Sequence, residues 1–208
     1  MTENKGILRT GMFYIDHLDP NSKSDLIDIN GFTIDAPEGQ GLSVYLKEYS
    51  RNDELERDMR TYLVRDIVTD ECVGYFSLKA GLISLNEIET EIEDAETGEH
   101  KTIREFDTLP GVELANFAVN SSYIKNYPYL KGVGHVIFTE FIIPMIEEAA
   151  KYVGIKMVYI YALPYDKLIG RYMRYGFRRL PEEQENDLHR RLKPIYDESC
   201  RFMYLLLE

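Results

Sequence analysis

The sequence predicts an α/β protein with a mixed central sheet flanked by helices, and three stretches carry that prediction. Val112 to Val119 is an apolar run of strand length. A polar, tyrosine-rich connection follows, Asn120 to Tyr129, and then the glycine pair of Lys131-Gly132-Val133-Gly134 opens a long apolar segment from His135 to Tyr152. A second strand–helix unit comes next, with Lys156 to Ala162 as strand and Tyr165 to Tyr175 as helix, ended by Gly176. Upstream, Thr61 to Val64 and Cys72 to Leu78 flank Thr69-Asp70 as a hairpin. Strands alternating with helices belong to a sheet whose faces are covered.

The remaining elements follow from local patterns. Met12 to Ile15 reads as a strand and Asp19-Pro20-Asn21 as a turn, while Asn30-Gly31-Phe32 and Pro37-Glu38-Gly39 punctuate a loop. Leu42, Tyr45, Leu46 and Tyr49 have helical spacing and give a short amphipathic helix to about Ser50. Arg51 to Arg60 then reads as a charged, solvated link. Between residues 84 and 107, Leu85, Ile88 and Ile92 alternate with acids, and Ile103 and Phe106 follow Glu96-Thr97-Gly98. This pattern predicts a second, polar hairpin, an acidic insertion in one domain spanning 1–208. It is either a partner-facing arm or a solvated excursion. Pro144 removes a ladder bond inside the Gly134–Tyr152 helix and should kink it near its middle. Pro164 suits the first turn of the next helix. Phe177 to Leu180 is expected as strand, Pro181 to Glu198 as charged helix before Pro194, and Cys200 to Leu207 as the closing strand.

Composition narrows the function classes. At 208 residues with 44% hydrophobic and 29% charged residues, the chain has the make-up of a soluble globular domain with a sizeable core. There is no apolar run of membrane-spanning length and no signal-type stretch after Lys5 or Arg9, so a cytoplasmic protein with no membrane partner is expected. Cys72 and Cys200 stand alone and read as reduced thiols. His17, His100, His135 and His189 are scattered, so no metal site is expected. The net charge of −12 argues against a general nucleic-acid surface. Nine acids against two bases between Glu87 and Asp107 contribute −7 of it, which leaves room for a local basic face.

The glycine pair is the leading site. A strand that runs into a glycine turn at a helix N-terminus presents N–H groups without helical partners at the positive end of the dipole, and that suits a phosphate or pyrophosphate. The plainer alternative is a turn that needs positive φ.

Together with Phe117-Ala118-Val119-Asn120 before the glycines and Tyr172-Met173-Arg174-Tyr175-Gly176-Phe177 after them, this order resembles the core of the GNAT superfamily of acyl-CoA-dependent N-acyltransferases. The resemblance covers roughly Thr61 to Leu180. It implies acetyl-CoA as co-substrate and transfer of an acetyl group to a primary amine by direct attack. It places Phe117, Ala118 and Val119 beside the pantetheine, and the N–H groups of Leu130, Lys131, Gly132, Val133, Gly134 and His135 on the pyrophosphate. It also makes Tyr172 the acid that protonates the departing thiolate, a step that requires no large pKa shift. Glu113 matches a glutamate that takes the amine proton through water, and Asn116 is a candidate for orienting the substrate. Tyr129 stands where the superfamily's turn has Gln or Arg, and Lys131 is a substitute charge. Tyr165 stands where many members have Asn.

The front half resembles one branch in particular. Leu42 to Leu46, Arg60 to Val64, Val73 to Leu78, Leu109-Pro110-Gly111-Val112 and Gly154-Ile155-Lys156 are similar to toxin-type acetyltransferases, which acetylate the amino group of aminoacyl-tRNA. Asn116 replaces that branch's usual arginine, and the acidic composition disfavours nucleic acid apart from tRNA. For tRNA, Arg171, Arg174, Arg178, Arg179, Arg190 and Arg191 are a candidate basic cluster. The exposed sheet edge of such a fold is compatible with a homodimer. A non-catalytic acyl-CoA-binding or partner-binding protein is the alternative from another class.

Overall fold

Alternating apolar residues drive the first strands together. Phe13, Ile15, Leu63, Val64, Val73 and Tyr75 are all buried and sit on three strands in mutual register. In the computed structural model, which describes residues 8–9, 11–93, 100–191 and 199–207, the chain divides into two compact units, Met1–Lys79 with Glu113–Val153 and Ala80–Val112 with Gly154–Glu208.

In the first unit, β1 (Leu8–Arg9), β2 (Phe13–His17), β3 (Arg60–Asp66) and the start of β4 (Cys72–Glu93) pair antiparallel in sequence order, with Ile15 opposite Val64 and Leu63 opposite Tyr75. The end of β5 (His100–Val119) follows β4. The hairpin expected at Thr69-Asp70 is present. Asp66 accepts from the N–H groups of Val68 (2.7 Å) and Thr69 (3.1 Å), and Asp70 takes the left-handed conformation at φ 62°. Helix α1 (Lys23–Gly31) was not expected, because its apolar residues follow no helical stripe. Its start signal is nevertheless in the sequence, where the Ser22 side chain caps the N–H of Asp25.

The helix expected to end at Ser50 runs on. α2 (Gln40–Val44), a π turn at Tyr45–Tyr49 and α3 (Ser50–Glu56) succeed one another until Arg57 closes the run at φ 64°. The solvated link from Arg51 is therefore corrected to a helix with a buried acid. Glu54 meets His17 at 3.0 Å, Arg60 at 2.8 Å and the N–H of Thr61. Leu18, Ile29, Phe32, Tyr45, Leu46, Met59, Leu63, Tyr75 and Ala118 form the core around these elements. Beside that core Arg65 is 5% exposed and paired with Asp25 at 2.9 Å, Asp16 at 3.4 Å and Asp28.

The connection from Asn120 also contains an unexpected helix, α4 (Ser121–Asn126). The helix after the glycines is α5 (Val133–Ile137), a π turn at Phe138–Ile142 and α6 (Ile143–Ala150). Pro144, expected to kink this run, lies just after the wider turn. The N–H of Ile143 donates to Phe138 O, five residues back, so the missing donor is absorbed by one wider turn.

In the second unit the acidic segment is built as strand, as expected. Its two arms are the continuation of β4 and the opening of β5, which are neighbours in the sheet; Glu96-Thr97-Gly98 lie outside the described residues. β6 (Met157–Ala162) pairs antiparallel with β8 (Arg201–Leu206), and β7 (Arg178–Arg179) pairs with β8 on its other side. Ile83, Met157, Tyr159, Leu180, Leu188 and Phe202 form its core. α7 is Asp166–Arg174 and α8 is Glu182–Arg191. Pro164 falls one residue before the N-cap, Tyr165, and so lies outside the helix it was expected to start. On α8, buried Glu185 accepts from the N–H of Phe202 at 3.0 Å and from Arg179 at 3.3 Å. Cys72 and Cys200 are buried free thiols. Among the described residues no helix is long and apolar enough to cross a membrane, and no group of acids, histidines and cysteines has the makings of a metal site.

Burial pushes the Glu54 carboxyl up, but His17, the Thr61 N–H and Arg60 together hold it below its ordinary 4.5. A carboxylate with a lowered folded-state pKa stabilises the fold fully above its unfolded pKa, and the contribution disappears as pH falls through the folded value. Denaturant titration at a series of pH values is therefore expected to show wild type well above Glu54→Gln at pH 7, with the gap closing below about pH 4.5.

Candidate functional site

Close approach of backbones builds the site in the first unit. A Cβ on Gly74 would lie 2.8 Å from Ala118 O and 3.0 Å from Ile137 Cδ1, so only glycine lets β4 meet β5 there. One turn away, Gly134 sits under the strand. A Cβ on it would lie 3.4 Å from Val119 Cγ2 and 3.7 Å from Phe117 Cζ. Gly132 is the N-cap of α5 at φ 71°, the left-handed region that favours glycine, and nothing lies within 4 Å of where its Cβ would be. Phe117, Val119 and Gly134 are thus brought together, and the exposed turn at Lys131 and Gly132 opens beside them.

The amides of this turn are not all free. Leu130 N–H donates to Tyr127 O at 3.0 Å, and His135 N–H donates to Gly132 O at 2.8 Å. Of the six N–H groups assigned from the sequence, the four from Lys131 to Gly134 are the ones not spent on backbone bonds of this loop. They sit at the positive end of the helical run over 133–150.

Asn120 holds the turn in place, a residue the sequence marked only as the strand's end. Its N–H donates to Val73 O at 2.8 Å and its Nδ2 to Cys72 O at 2.9 Å, while Oδ1 accepts from the N–H groups of Thr33 and Ser122 at 3.2 Å each. One side chain therefore caps α4, ends β5 and ties both to β4 and to the loop after α1. The tyrosines of the connection complete the anchoring. The Tyr123 hydroxyl donates to Asp66 at 2.5 Å and the Tyr127 hydroxyl to Glu71 at 2.6 Å.

On β5 the exposure alternates. Leu114, Asn116 and Ala118 are buried, whereas Glu113, Phe117 and Val119 are half-buried, which puts the two sets on opposite faces. Glu113 therefore shares the face of Phe117 and Val119. Asn116 does not, because it is buried with Nδ2 3.9 Å from Met59 Sδ.

Tyr172 belongs to the second unit. It is buried on α7, edge-on to Phe177 at 5.5 Å and to Tyr175 at 6.3 Å. The helix ends in a Schellman motif directly beneath it. Phe177 N–H donates to Tyr172 O at 3.1 Å and Gly176 N–H to Met173 O at 3.0 Å, with Gly176 at φ 91°. Burial pushes the Tyr172 phenol up, Tyr175 adds to that, and Arg171 pulls it back down. The phenol is a weaker acid than a free tyrosine and stays protonated at neutral pH.

No protein-family model and no curated protein sequence matches the chain. Solved structures do. A variant of KacT aligns with a TM-score of 0.62 and 18% identity over 94% of this chain and 95% of that one. AtaTR bound with acetyl-CoA aligns at 0.60 and 17% over 95% and 94%. The chain has the GNAT fold. AtaT complexed with acetyl-methionyl-tRNAfMet is similar as well, at 0.60 and 18% over 91% and 93%.

Replacing Asn120 by alanine removes the α4 cap and leaves buried backbone groups without partners, at a cost of about 2–4 kcal/mol. Thermal melting is expected to show Asn120→Ala well below wild type. Asn120→Asp keeps the Oδ1 acceptor but sets a second carboxylate oxygen against Cys72 O in place of the donor, and is expected to melt below wild type as well.

Proposed function

We propose that the chain is an acetyl-CoA-dependent N-acetyltransferase whose acceptor is the amino group of an aminoacyl-tRNA. The observation that carries the reading is the glycine turn at Lys131–Gly134. It is open at Gly132 and pressed by Gly134 against Phe117 and Val119, and it begins a long helix. That combination fits a pyrophosphate followed by an extended, amide-bearing chain. The acceptor class is supported by the likeness to an acetyltransferase toxin complexed with an acetylated aminoacyl-tRNA.

In this reading the N–H groups of Lys131 to Gly134 hold the pyrophosphate, and Lys131 adds the charge that Tyr129 lacks. The side chains of Phe117 and Val119 line the path of the pantetheine, with Ala118 contributing only backbone between them. When bound, acetyl-CoA supplies the acetyl group already activated as a thioester. Glu113, on the same face of β5 as Phe117, takes through water the proton that the acceptor ammonium must lose before its neutral amine attacks the thioester carbonyl. Tyr172 keeps a proton on its hydroxyl at neutral pH and gives it to the thiolate leaving group, which is basic enough to accept it. Asn116 positions β5 from its buried side and does not touch the acceptor.

The test has two arms. Calorimetric titration with acetyl-CoA is expected to show saturable binding by wild type and none by Gly134→Glu, which places an anion where the pyrophosphate belongs. With an aminoacyl-tRNA as acceptor, Tyr172→Phe is expected to lower turnover roughly 10²- to 10⁴-fold at unchanged acetyl-CoA affinity. Absence of acetyl-CoA binding by wild type overturns the reading. Binding without turnover on tRNA or on any small amine replaces it with a non-catalytic acyl-CoA-binding protein.

A further inference from the structure

Tyr129, two residues ahead of Lys131, stands 73% exposed, yet both its backbone and its ring are held. Tyr127-Pro128-Tyr129-Leu130 form a β-turn closed by the Leu130 N–H on Tyr127 O at 3.0 Å. Proline at the second position suits that turn through its locked φ. Tyr129 is the third residue, and turn positions ordinarily go to small or polar residues. Its ring meets Tyr127 edge-on at 6.2 Å and 90°. Tyr127 lies 4.6 Å from Tyr123, which meets buried Phe13 at 6.4 Å. The Tyr127 and Tyr123 hydroxyls are tied in turn to Glu71 and Asp66 on the β3–β4 hairpin. A relay of rings rooted in the core thus ends in solvent at Tyr129.

Exposure alone does not single this residue out, since Tyr49, Tyr152 and Tyr165 are exposed too. Among the described residues those three touch no other ring, and the Tyr152 hydroxyl is spent on Glu148. An edge contact covers at most one face of the Tyr129 ring, so a flat face stays open. A ring already ordered loses little freedom when a second ring settles on it.

The two glycines beyond Tyr129 give the ligand a direction. Gly134 is pressed on Val119 and Phe117, whereas nothing lies within 4 Å of the Cβ position at Gly132. A pyrophosphate on the amides between them has its pantetheine end toward Gly134 and the strand. Its other end therefore leaves over Gly132, on the side of the chain that carries Tyr129. The Tyr129 and Lys131 Cα atoms are at most about 7 Å apart, a gap that a ribose bridges.

We propose that the open face of Tyr129 is the platform on which the adenine of the acyl donor stacks. The proposal rests on the acetyl-CoA reading given above and adds a substrate class to it. The donor is a free nucleotide thioester, and an acyl group on the phosphopantetheine of a carrier protein, which has no base, is discriminated against. Lys131, exposed beside the turn, serves the phosphates and not the base.

The chain contains no tryptophan, so Tyr129→Trp places a single indole at the platform. Acetyl-CoA and ADP are expected to quench its fluorescence by stacking, while acetyl-4′-phosphopantetheine leaves it unchanged. Calorimetry supplies the affinities. Tyr129→Ala is expected to weaken acetyl-CoA on the order of tenfold and to leave acetyl-4′-phosphopantetheine unaffected. Tyr129→Phe, which keeps the ring, is expected to match wild type. Full acetyl-CoA affinity in Tyr129→Ala, or an unquenched indole at saturating acetyl-CoA, overturns the assignment and leaves the cofactor reading standing. Equal weakening of both ligands makes Tyr129 a prop for the turn and likewise overturns it. Absence of acetyl-CoA binding by wild type overturns both readings.

Discussion

The Asn120 knot is the constraint on which the candidate cofactor turn depends. A strand that carries Phe117 and Val119 up to the glycine turn has to stop pairing at a fixed residue, and its last amides then need partners that are not strand. Asn120 supplies both ends of that transaction. Its backbone still pairs with Val73, while its side chain bonds forward to α4 and sideways to Cys72 and Thr33. At Gly132 positive φ then turns the chain into α5. The glycine at 74 belongs to the same device, because the knot closes only if β4 can come within backbone contact of Ala118.

Both long helical runs of the first unit contain a π turn, and the two have different origins. In the 133–150 run Pro144 withholds the donor that the ladder needs, and the wider turn at Phe138–Ile142 absorbs the loss. Phe138, Phe141 and Ile142 stay buried through it. In the 40–56 run no proline is present. There Tyr45 and Leu46 are buried at the start of the π turn while Ser50 and Glu54 are buried beyond it. One extra residue in a turn moves later positions around the axis, and it brings Glu54 inward to meet His17, Arg60 and Thr61.

That last point marks where the sequence stopped being legible. Strands with a dense β-branched or aromatic content, such as Thr61 to Val64, Cys72 to Leu78 and Lys156 to Ala162, were readable because period and propensity agreed. The glycine turn and the Tyr172–Phe177 helix end were readable because positive φ demands glycine at fixed offsets. Helix α1 and the extension from Arg51 to Glu56 were not. Their buried faces hold Asp25, Ser50 and Glu54, polar residues that are inside only because partners distant in sequence receive them. Asn120 was opaque for the same reason, since four bonding partners spread over residues 33 to 122 leave no local pattern. In the site itself the face of β5 was half visible. Strand alternation separates Glu113 from Asn116, but only the fold says which set is buried.

The charge arrangement follows from the same contrast between matched and unmatched groups. Burying Arg65 among Asp16, Asp25 and Asp28 removes a cation from the surface and makes it structural. Arg179 and Arg190 are likewise engaged by neighbouring acids, so the arginine-rich stretch from 171 to 191 overstates the basic surface when counted by residue. Exposed cations that no carboxylate meets among the described residues are spread over both units, at Lys23, Arg51, Arg57, Lys131 and Lys156 as well as on α7, so burial and pairing, and not the count of basic residues, decide which cations are left to the surface.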